Sequence, residues 1–271
     1  MGSLGRLMPN LHGPSEKRRK LYANTIKSIL MYGAPIWSDE FNTSRRLKQQ
    51  IRRVERVLAI RVIAGYRTVS ADAALILARI PPTCISAAYW KRVYTRIRDH
   101  KLDDTWSRAI EKEIKQDEMI ILLRQWRLML ERQDVVGKRT CAAIAPILDK
   151  WLNRKWGEMT YRITQLMTGH GCFNTFLYRI GKAETPICTY CNQEEDSTEH
   201  HIMFCSKWDR ERELLKEKIG EDLQLTTIAK KICDDKEAWK AFHQFAESTL
   251  SIKEEDERIR QRRALTSDEE N

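Results

Sequence analysis

The sequence predicts a predominantly α-helical fold, and two observations support that prediction. Glycine and proline are scarce, with 11 and 7 in a chain of 271 residues, which disfavours a loop-rich β fold. Apolar residues recur at intervals of three and four along most of the chain, whereas no run alternates as a half-buried strand would. The apolar fraction of 42% is sufficient for a sizeable core.

The first hundred residues are predicted to form four helices, bounded by capping residues, glycine and proline. Their approximate ranges are 15–32, 43–64, 71–79 and 81–97. The second helix has an apolar stripe, which is expected to pack: Leu47, Ile51, Val54, Leu58 and Val62. Its opposite face is expected to form a basic ridge: Arg45, Lys48, Arg52 and Arg56.

Charge is distributed unevenly along the chain. Residues 1–100 contain 19 Lys/Arg and 6 Asp/Glu, whereas residues 101–271 contain 29 and 32. The whole excess of positive charge therefore lies in the first part, which favours a polyanionic partner there, since neutralising phosphates releases condensed counterions. A solvated basic surface without a dedicated ligand is the alternative.

The remainder of the chain is also predicted to be helical. The expected ranges are 105–133, 138–156, 161–167, 173–180, 207–219 and 236–263, with Pro146 as a kink or boundary. Residues 264–271 are expected to form a flexible tail. Four tryptophans at helical apolar positions are predicted to be core residues and not stacking platforms for nucleobases: Trp90, Trp126, Trp151 and Trp239.

One segment has the spacing of a zinc site. Residues 187–205 read ICTYCNQEEDSTEHHIMFC, which contains C-x2-C-x8-H-x4-C when His200 is the third ligand. Cys188 and Cys191 can chelate an ion from a tight turn, and His200 and Cys205, about one helical turn apart, can close the tetrahedron. Four protein ligands leave no position for an activated water, so the predicted zinc is structural and not catalytic.

The spacing leaves alternatives open. His201 fits nearly as well as His200, and only one of the two adjacent histidines can face an ion; the other is expected to point elsewhere, to solvent or phosphate. The acidic loop at residues 194–197 is expected to contribute no core residue. Buried structural cysteines are a second alternative. A redox CxxC pair is a third, although it needs a βαβ setting that the helical pattern does not provide.

The seven cysteines are odd in number and widely spread, and no signal peptide or membrane-length apolar run is visible. Both features favour a reduced intracellular protein, nuclear or cytoplasmic. No catalytic set is visible either. The acidic pairs Asp103-Asp104 and Asp234-Asp235 are predicted to cap helix starts, and no phosphate-binding glycine loop is present.

Four stretches resemble the C-terminal part of insect non-LTR retrotransposon polyproteins, in particular the Jockey-like and ribosomal-insertion groups. They are residues 5–37 (GRLMPNLHGPSEKRRKLYANTIKSILMYGAPIW), 61–82 (RVIAGYRTVSADAALILARIPP), 166–181 (LMTGHGCFNTFLYRIG) and the CCHC run. They occur in the order found in that family. The resemblance favours His200 over His201 and implies the ligand set Cys188, Cys191, His200 and Cys205.

The resemblance also implies a domain organisation and partners. Residues 1–100 would be a reverse-transcriptase thumb-like region, 101–180 a helical connector, 181–210 the zinc knuckle, 211–263 C-terminal helices and 264–271 the tail. RNA or DNA, as element transcript or target, would be the partner, and self-association is a further expectation. The polymerase palm with its catalytic aspartates is not in this sequence, so we expect a truncated fragment without polymerase activity of its own.

Overall fold

A computed structural model describes residues 9–269 of the chain, with side chains described for residues 9–262. It confirms the predominantly helical prediction, because the described residues form thirteen α-helices and no strand. The chain divides into two compact units, Met1–Asn153 and Arg154–Asn271. Within the described residues no single helix is long and apolar enough to cross a membrane. Only the helix pair Ala71–Ala78 and Thr83–Leu102, bent by 52°, passes that test together, by length and composition alone.

The first unit contains eight helices. They are α1 (Glu16–Leu30), α2 (Ala34–Thr43), α3 (Arg45–Val62), α4 (Ala71–Ala78), α5 (Thr83–Leu102), α6 (Arg108–Leu130), α7 (Lys138–Ile144) and α8 (Leu148–Asn153). Helix α2 differs from the prediction, in which Pro35 ends a helix. Here Pro35 lies in the first turn of a new one, where its missing N–H is no loss.

Helix α4 is the centre of this unit. All eight of its residues are buried, and it packs against α3 and α7. The indole N–H of Trp151 donates to the carbonyl oxygen of Ile76 at 2.8 Å. The buried residues of α3 all lie in its second half: Val62 is fully buried, whereas Leu47 is 41% exposed. The predicted apolar stripe of α3 is therefore only partly buried.

The second unit contains five helices. They are α9 (Tyr161–Thr168), α10 (Asn174–Arg179), α11 (Asp209–Ile219), α12 (Leu225–Asp234) and α13 (Lys236–Glu269). Helix α12 is absent from the sequence prediction, and α13 extends past residue 263, where its end is predicted. Helix α13 packs against α9, α11 and α12. Gly157, at φ +77°, lies so close to Trp239 that a Cβ would be 2.2 Å from the indole, so glycine is required there.

Three of the four tryptophans predicted to lie in the core do so. Trp126, Trp151 and Trp239 are at most 4% exposed, but Trp90 is 43% exposed, so the prediction is wrong for Trp90. The prediction for Asp103-Asp104 is also wrong, because these residues follow the end of α5. Asp235 does stand at a helix start, and its side chain accepts the N–H of Glu237 at 2.9 Å.

Candidate metal centre

The backbone around the first two cysteines forms a tight turn. The N–H of Cys188 donates to Glu194 and the N–H of Asn192 donates back to Cys188, both at 2.8 Å. Asn192 adopts φ +55°, a left-handed conformation that asparagine tolerates better than most residues. An isolated bridge pairs Ile187 with Glu195. This turn holds Cys188 and Cys191 on the same side.

The other two candidate ligands flank a single π-helical turn, His200–Phe204. The N–H of Cys205 donates to the carbonyl oxygen of His200 at 2.8 Å, which is the i→i+5 bond of a π turn. This wider turn places residues five apart on the same side of the backbone. The four residues between His200 and Cys205 therefore allow both side chains to face the same point. Single π turns of this kind are frequent at functional sites.

The four side chains meet in one cluster. The sulfur atoms of Cys188, Cys191 and Cys205 and one ring nitrogen of His200 all lie within 4.8 Å of one another. Cys188 Sγ is 3.8 Å from Cys205 Sγ, and Cys191 Sγ is 3.4 Å from His200 Nε2. Zinc–sulfur and zinc–nitrogen bonds arranged tetrahedrally place two sulfurs about 3.8 Å apart and a sulfur and nitrogen about 3.6 Å apart. The donor set and these two distances therefore fit a tetrahedral ion.

The surroundings support the same geometry. The carboxylate of Glu194 lies 3.1 Å from His200 Nδ1, which orients the ring and leaves Nε2 for the cluster, as acidic partners of metal-binding histidines do. Backbone N–H groups, chiefly that of Gln193, lower the pKa of the Cys191 thiol. Burial raises the pKa of Cys205 to about 12, so its thiolate needs a nearby cation to exist at neutral pH.

The two adjacent histidines have different environments. His201 is 1% exposed, and its Nε2 lies 2.9 Å from the hydroxyl of Thr249. Its ring packs against the rings of Trp208 and Phe245, and burial lowers its pKa well below the usual value. The expectation that the second histidine points to solvent or phosphate is therefore wrong, since it is a neutral core residue.

The acidic loop between the ligands contains a core residue, contrary to the expectation from the sequence. Asp196 is 1% exposed and forms an ion pair with Lys253 of α13, also 1% exposed, at 2.7 Å. Asp196 also accepts the N–H of Asn174 at 2.8 Å. A signal existed, because Lys253 continues the buried face of α13 at helical spacing from Phe242, Ala246 and Thr249. A lysine in a buried stripe requires a buried acid.

The structure places the predicted basic ridge on α3, but three of its four cations have acceptors within the first unit. Lys48 donates to the carbonyl oxygen of Asn42 at 2.9 Å, Arg52 pairs with Asp72 at 2.6 Å, and Arg56 donates to Val69 at 2.8 Å. Arg45 is exposed. The acceptors lie at the end of α2, on α4 and in the loop before α4.

The exposed basic residues of α3 include two that the prediction omitted. Arg46 and Arg53 are exposed, and they are seven residues apart and therefore on one face of the helix. With Arg45 they form the exposed cations of α3. The helical period alone could not distinguish these exposed arginines from the cations that form hydrogen bonds or ion pairs, because the acceptors lie on other segments.

Comparison with known proteins gives four relatives of low identity. A 115-kDa protein of the type-1 retrotransposable element R1DM of Drosophila melanogaster is 24% identical over 268 residues, covering 92% of this chain and 25% of that protein. A retrovirus-related Pol polyprotein of the type-1 retrotransposable element R1 of Nasonia vitripennis is 26% identical over 210 residues, covering 72% of this chain and 59% of that protein. Another from the same wasp, from element R1 4, is 22% identical over 247 residues, covering 86% and 59%.

The homologues of this chain are thus polyproteins of R1 non-LTR retrotransposons, aligned over most of its length. The chain spans between a quarter and about three-fifths of the length of these curated relatives. No family model matches the sequence, and no solved structure matches it.

Proposed function

We propose that this chain, whose homologues are R1 retrotransposon polyproteins, is a nucleic-acid-binding portion of such a polyprotein that carries a structural zinc ion. The zinc would be held by Cys188, Cys191, His200 and Cys205. The nucleic acid would be RNA or DNA, as element transcript or target, and the chain would have no polymerase activity by itself. Metal-dependent primer extension by the purified chain would contradict that last statement.

The observation that supports the zinc proposal most strongly is the convergence of three sulfurs and one imidazole nitrogen within 4.8 Å. Bound zinc would supply a fixed positive centre that stabilises the thiolates and ties the tight turn to the π turn. Cys188 and Cys205 are buried and packed under Trp208, which excludes water from that side. The four side chains would fill the coordination shell of a tetrahedral ion, so no open position would remain for catalysis.

Metal analysis of the purified protein tests this proposal. We expect about one zinc per chain in the wild type, and loss of the metal in Cys188→Ser/Cys191→Ser. Cys84→Ser is the matched control, because Cys84 is half-buried and lies outside the cluster. His200→Ala should lose zinc, whereas His201→Ala should keep it. A folded wild type without zinc, or equal loss in the Cys84 variant, would contradict the proposal.

The nucleic-acid proposal is supported by the charge of the first unit. Residues 1–153 contain 29 Lys/Arg against 15 Asp/Glu, and three arginines of α3, Arg45, Arg46 and Arg53, are exposed. Cations that bind phosphates release counterions, so affinity should fall steeply with salt concentration.

A salt titration with labelled RNA and DNA measures this effect. Changing Arg45, Arg46 and Arg53 together to Ala should weaken binding and reduce the slope of log affinity against log salt by about one unit for each phosphate that is no longer neutralised. Changing Lys48, Arg52 and Arg56 instead would also break hydrogen bonds inside the unit, so their variants need a stability measurement beside the binding one. Affinity that does not respond to salt would contradict the proposal.

A protein–protein interaction module stabilised by zinc is the second candidate, and one observation favours it. Large apolar side chains of α1, α2 and the turn between them are exposed: Leu21, Tyr22, Ile29, Tyr32 and Ile36. Contiguous apolar exposure commonly marks an interface. Salt-insensitive self-association without nucleic-acid binding would favour this candidate.

A further inference from the structure

Three aromatic rings of the first unit are exposed where helices α5 and α6 meet. Trp90 and Tyr94 lie on α5 and are 43% and 54% exposed, and Trp106 precedes α6 and is 40% exposed. Burial is the usual fate of such rings, because each removes about 150–250 Å² of surface from water. Three half-exposed rings in one neighbourhood therefore need an explanation beyond the fold of the unit.

The rings line two adjoining hollows. The first, of about 610 Å³, is lined by Trp90 and Tyr94 together with Lys27 of α1 and Met31, which follows α1. The second, of about 900 Å³, is lined by Trp106 and by one face of α6. Glu111 and Lys115 line both hollows, so the two adjoin at α6.

Trp90 is held in place by its neighbour. Its ring packs edge-on against buried Tyr89, with centroids 5.1 Å apart, so one side of Trp90 is fixed against the unit while 43% of the residue remains open. Trp106 is approached by Lys101, whose ammonium lies 5.5 Å from the ring centroid. Anchored rings with open surface lose little conformational freedom when a flat ligand stacks on them.

The charged side chains around the hollows are mainly cationic. Arg108, Lys112 and Lys115 line the second hollow, Lys27 lines the first, and Lys101 lies over Trp106. Glu111 is the one acidic residue among those lining either hollow, and it pairs with Lys115 at 2.6 Å. Lys27 is held inside the unit by the carbonyl oxygen of Pro81. Three exposed cations, Lys101, Arg108 and Lys112, therefore remain without an acid among the residues that line the hollows.

We propose that these hollows bind a single-stranded stretch of nucleic acid, with bases stacked on Trp90, Tyr94 and Trp106 and phosphates facing Lys101, Arg108 and Lys112. The inference rests on the proposed nucleic-acid-binding function and assigns it a second binding region besides α3. Interleaved aromatic rings and cations are the elements of sequence-tolerant single-strand sites. A duplex keeps its base faces stacked inside, so it cannot use exposed rings in this way.

Fluorescence anisotropy with 12-nucleotide oligo(U), oligo(dT) and a 12-base-pair duplex tests the proposal on the full chain. Trp90→Ala/Trp106→Ala should raise the Kd for both single strands about 10-fold or more. Trp90→Phe/Trp106→Phe should lose much less, because a ring remains for stacking. Tyr22→Ala/Tyr32→Ala is the matched control, since both tyrosines are exposed and line neither hollow; its Kd should be unchanged.

Each outcome separates the site from the broader function. Loss of single-strand affinity in the Ala variant with duplex affinity retained supports the site, whichever of oligo(U) and oligo(dT) binds tighter. Equal weakening of single strand and duplex, or Phe variants as weak as Ala variants, would overturn it. If the Trp variants bind as the wild type does while the α3 arginine variant loses binding, the site is wrong and the proposed function stands. If the wild type binds none of the three probes, both fail.

Discussion

The two units of this chain have opposite charge and different kinds of interior. Residues 1–153 contain 29 Lys/Arg against 15 Asp/Glu, whereas residues 154–271 contain 19 against 23. The centre of the first unit is α4, an entirely buried helix with a single charged residue, Asp72. The centre of the second is polar, with the ion pair Lys253–Asp196 only 1% exposed at each residue beside the cysteine–histidine cluster.

The difference shows two ways of specifying a helical unit. The first unit places its ion pairs outside that apolar helix and leaves the cations partly exposed: the arginine side chain is 30% exposed in Arg92–Glu118 and 16% exposed in Arg79–Glu16. Apolar packing, which holds the centre of this unit together, is non-directional and does not depend on the position of single polar atoms. The second unit depends on directional interactions, since Asp196 joins the candidate metal module to α13 and Tyr190 of that module donates to Asp256 of α13 at 2.7 Å. Its stability should therefore depend on metal and on single polar atoms.

Removal of the proposed zinc should have the largest effect, and it should be confined to the second unit. Structural zinc contributes directly to the free energy of folding; its apparent binding free energy in small zinc modules is about 10–16 kcal/mol. After treatment with a chelator, hydrogen exchange measured by mass spectrometry should show loss of protection in peptides from residues 186–208 and 245–257. Peptides from α4 should keep theirs. Equal loss of protection in both units would contradict the claim that only the second unit depends on metal.

Lys253→Met should have the next largest effect. It leaves the Asp196 carboxylate buried without its cation, which costs about 3–5 kcal/mol. Lys240→Met, on the same helix but 61% exposed at the side chain, should change the free energy of unfolding by less than about 0.5 kcal/mol. Urea unfolding measures both.

Addition of Asp196→Asn to Lys253→Met should recover part of the loss, since the buried charge is then gone while an oxygen remains for the N–H of Asn174. A double variant no more stable than the single one would show that the pair acts through packing and not through charge.

A smaller effect is expected from pH in the first unit. Lys27 donates to the carbonyl oxygen of Pro81 at 2.7 Å, and burial lowers its pKa to about 8, with Glu55 opposing part of that shift. Between pH 8 and its ordinary value near 10.5, the unfolded chain binds the proton and the folded chain does not, so stability contributed by this group rises with pH in that window. Lys27→Met should lack this rise when unfolding is compared with wild type across the window.

Local spacing allowed the cysteine–histidine cluster to be predicted from the sequence. Cys188 and Cys191 lie on one turn, and His200 and Cys205 on another, so spacing along the chain was enough to bring each pair together. The choice between His200 and His201 needed more, because it depends on Thr249 and Phe245 of α13, which receive the second ring. Helices α3 to α6 could likewise be predicted from the spacing of apolar residues, because that spacing and the capping residues depend only on nearby positions in the chain.

What the sequence by itself determined is the helical class, the uneven charge and the four candidate ligands, because each depends on composition or on residues within one or two turns. The tertiary structure decided which polar side chains are buried and which rings are exposed. Asp196 meets Lys253 across 57 residues, Arg52 meets Asp72 on another helix, and Trp90 remains open because no described segment of the unit covers its outer side. Such outcomes depend on which helices pack together, and the helical period does not contain that information.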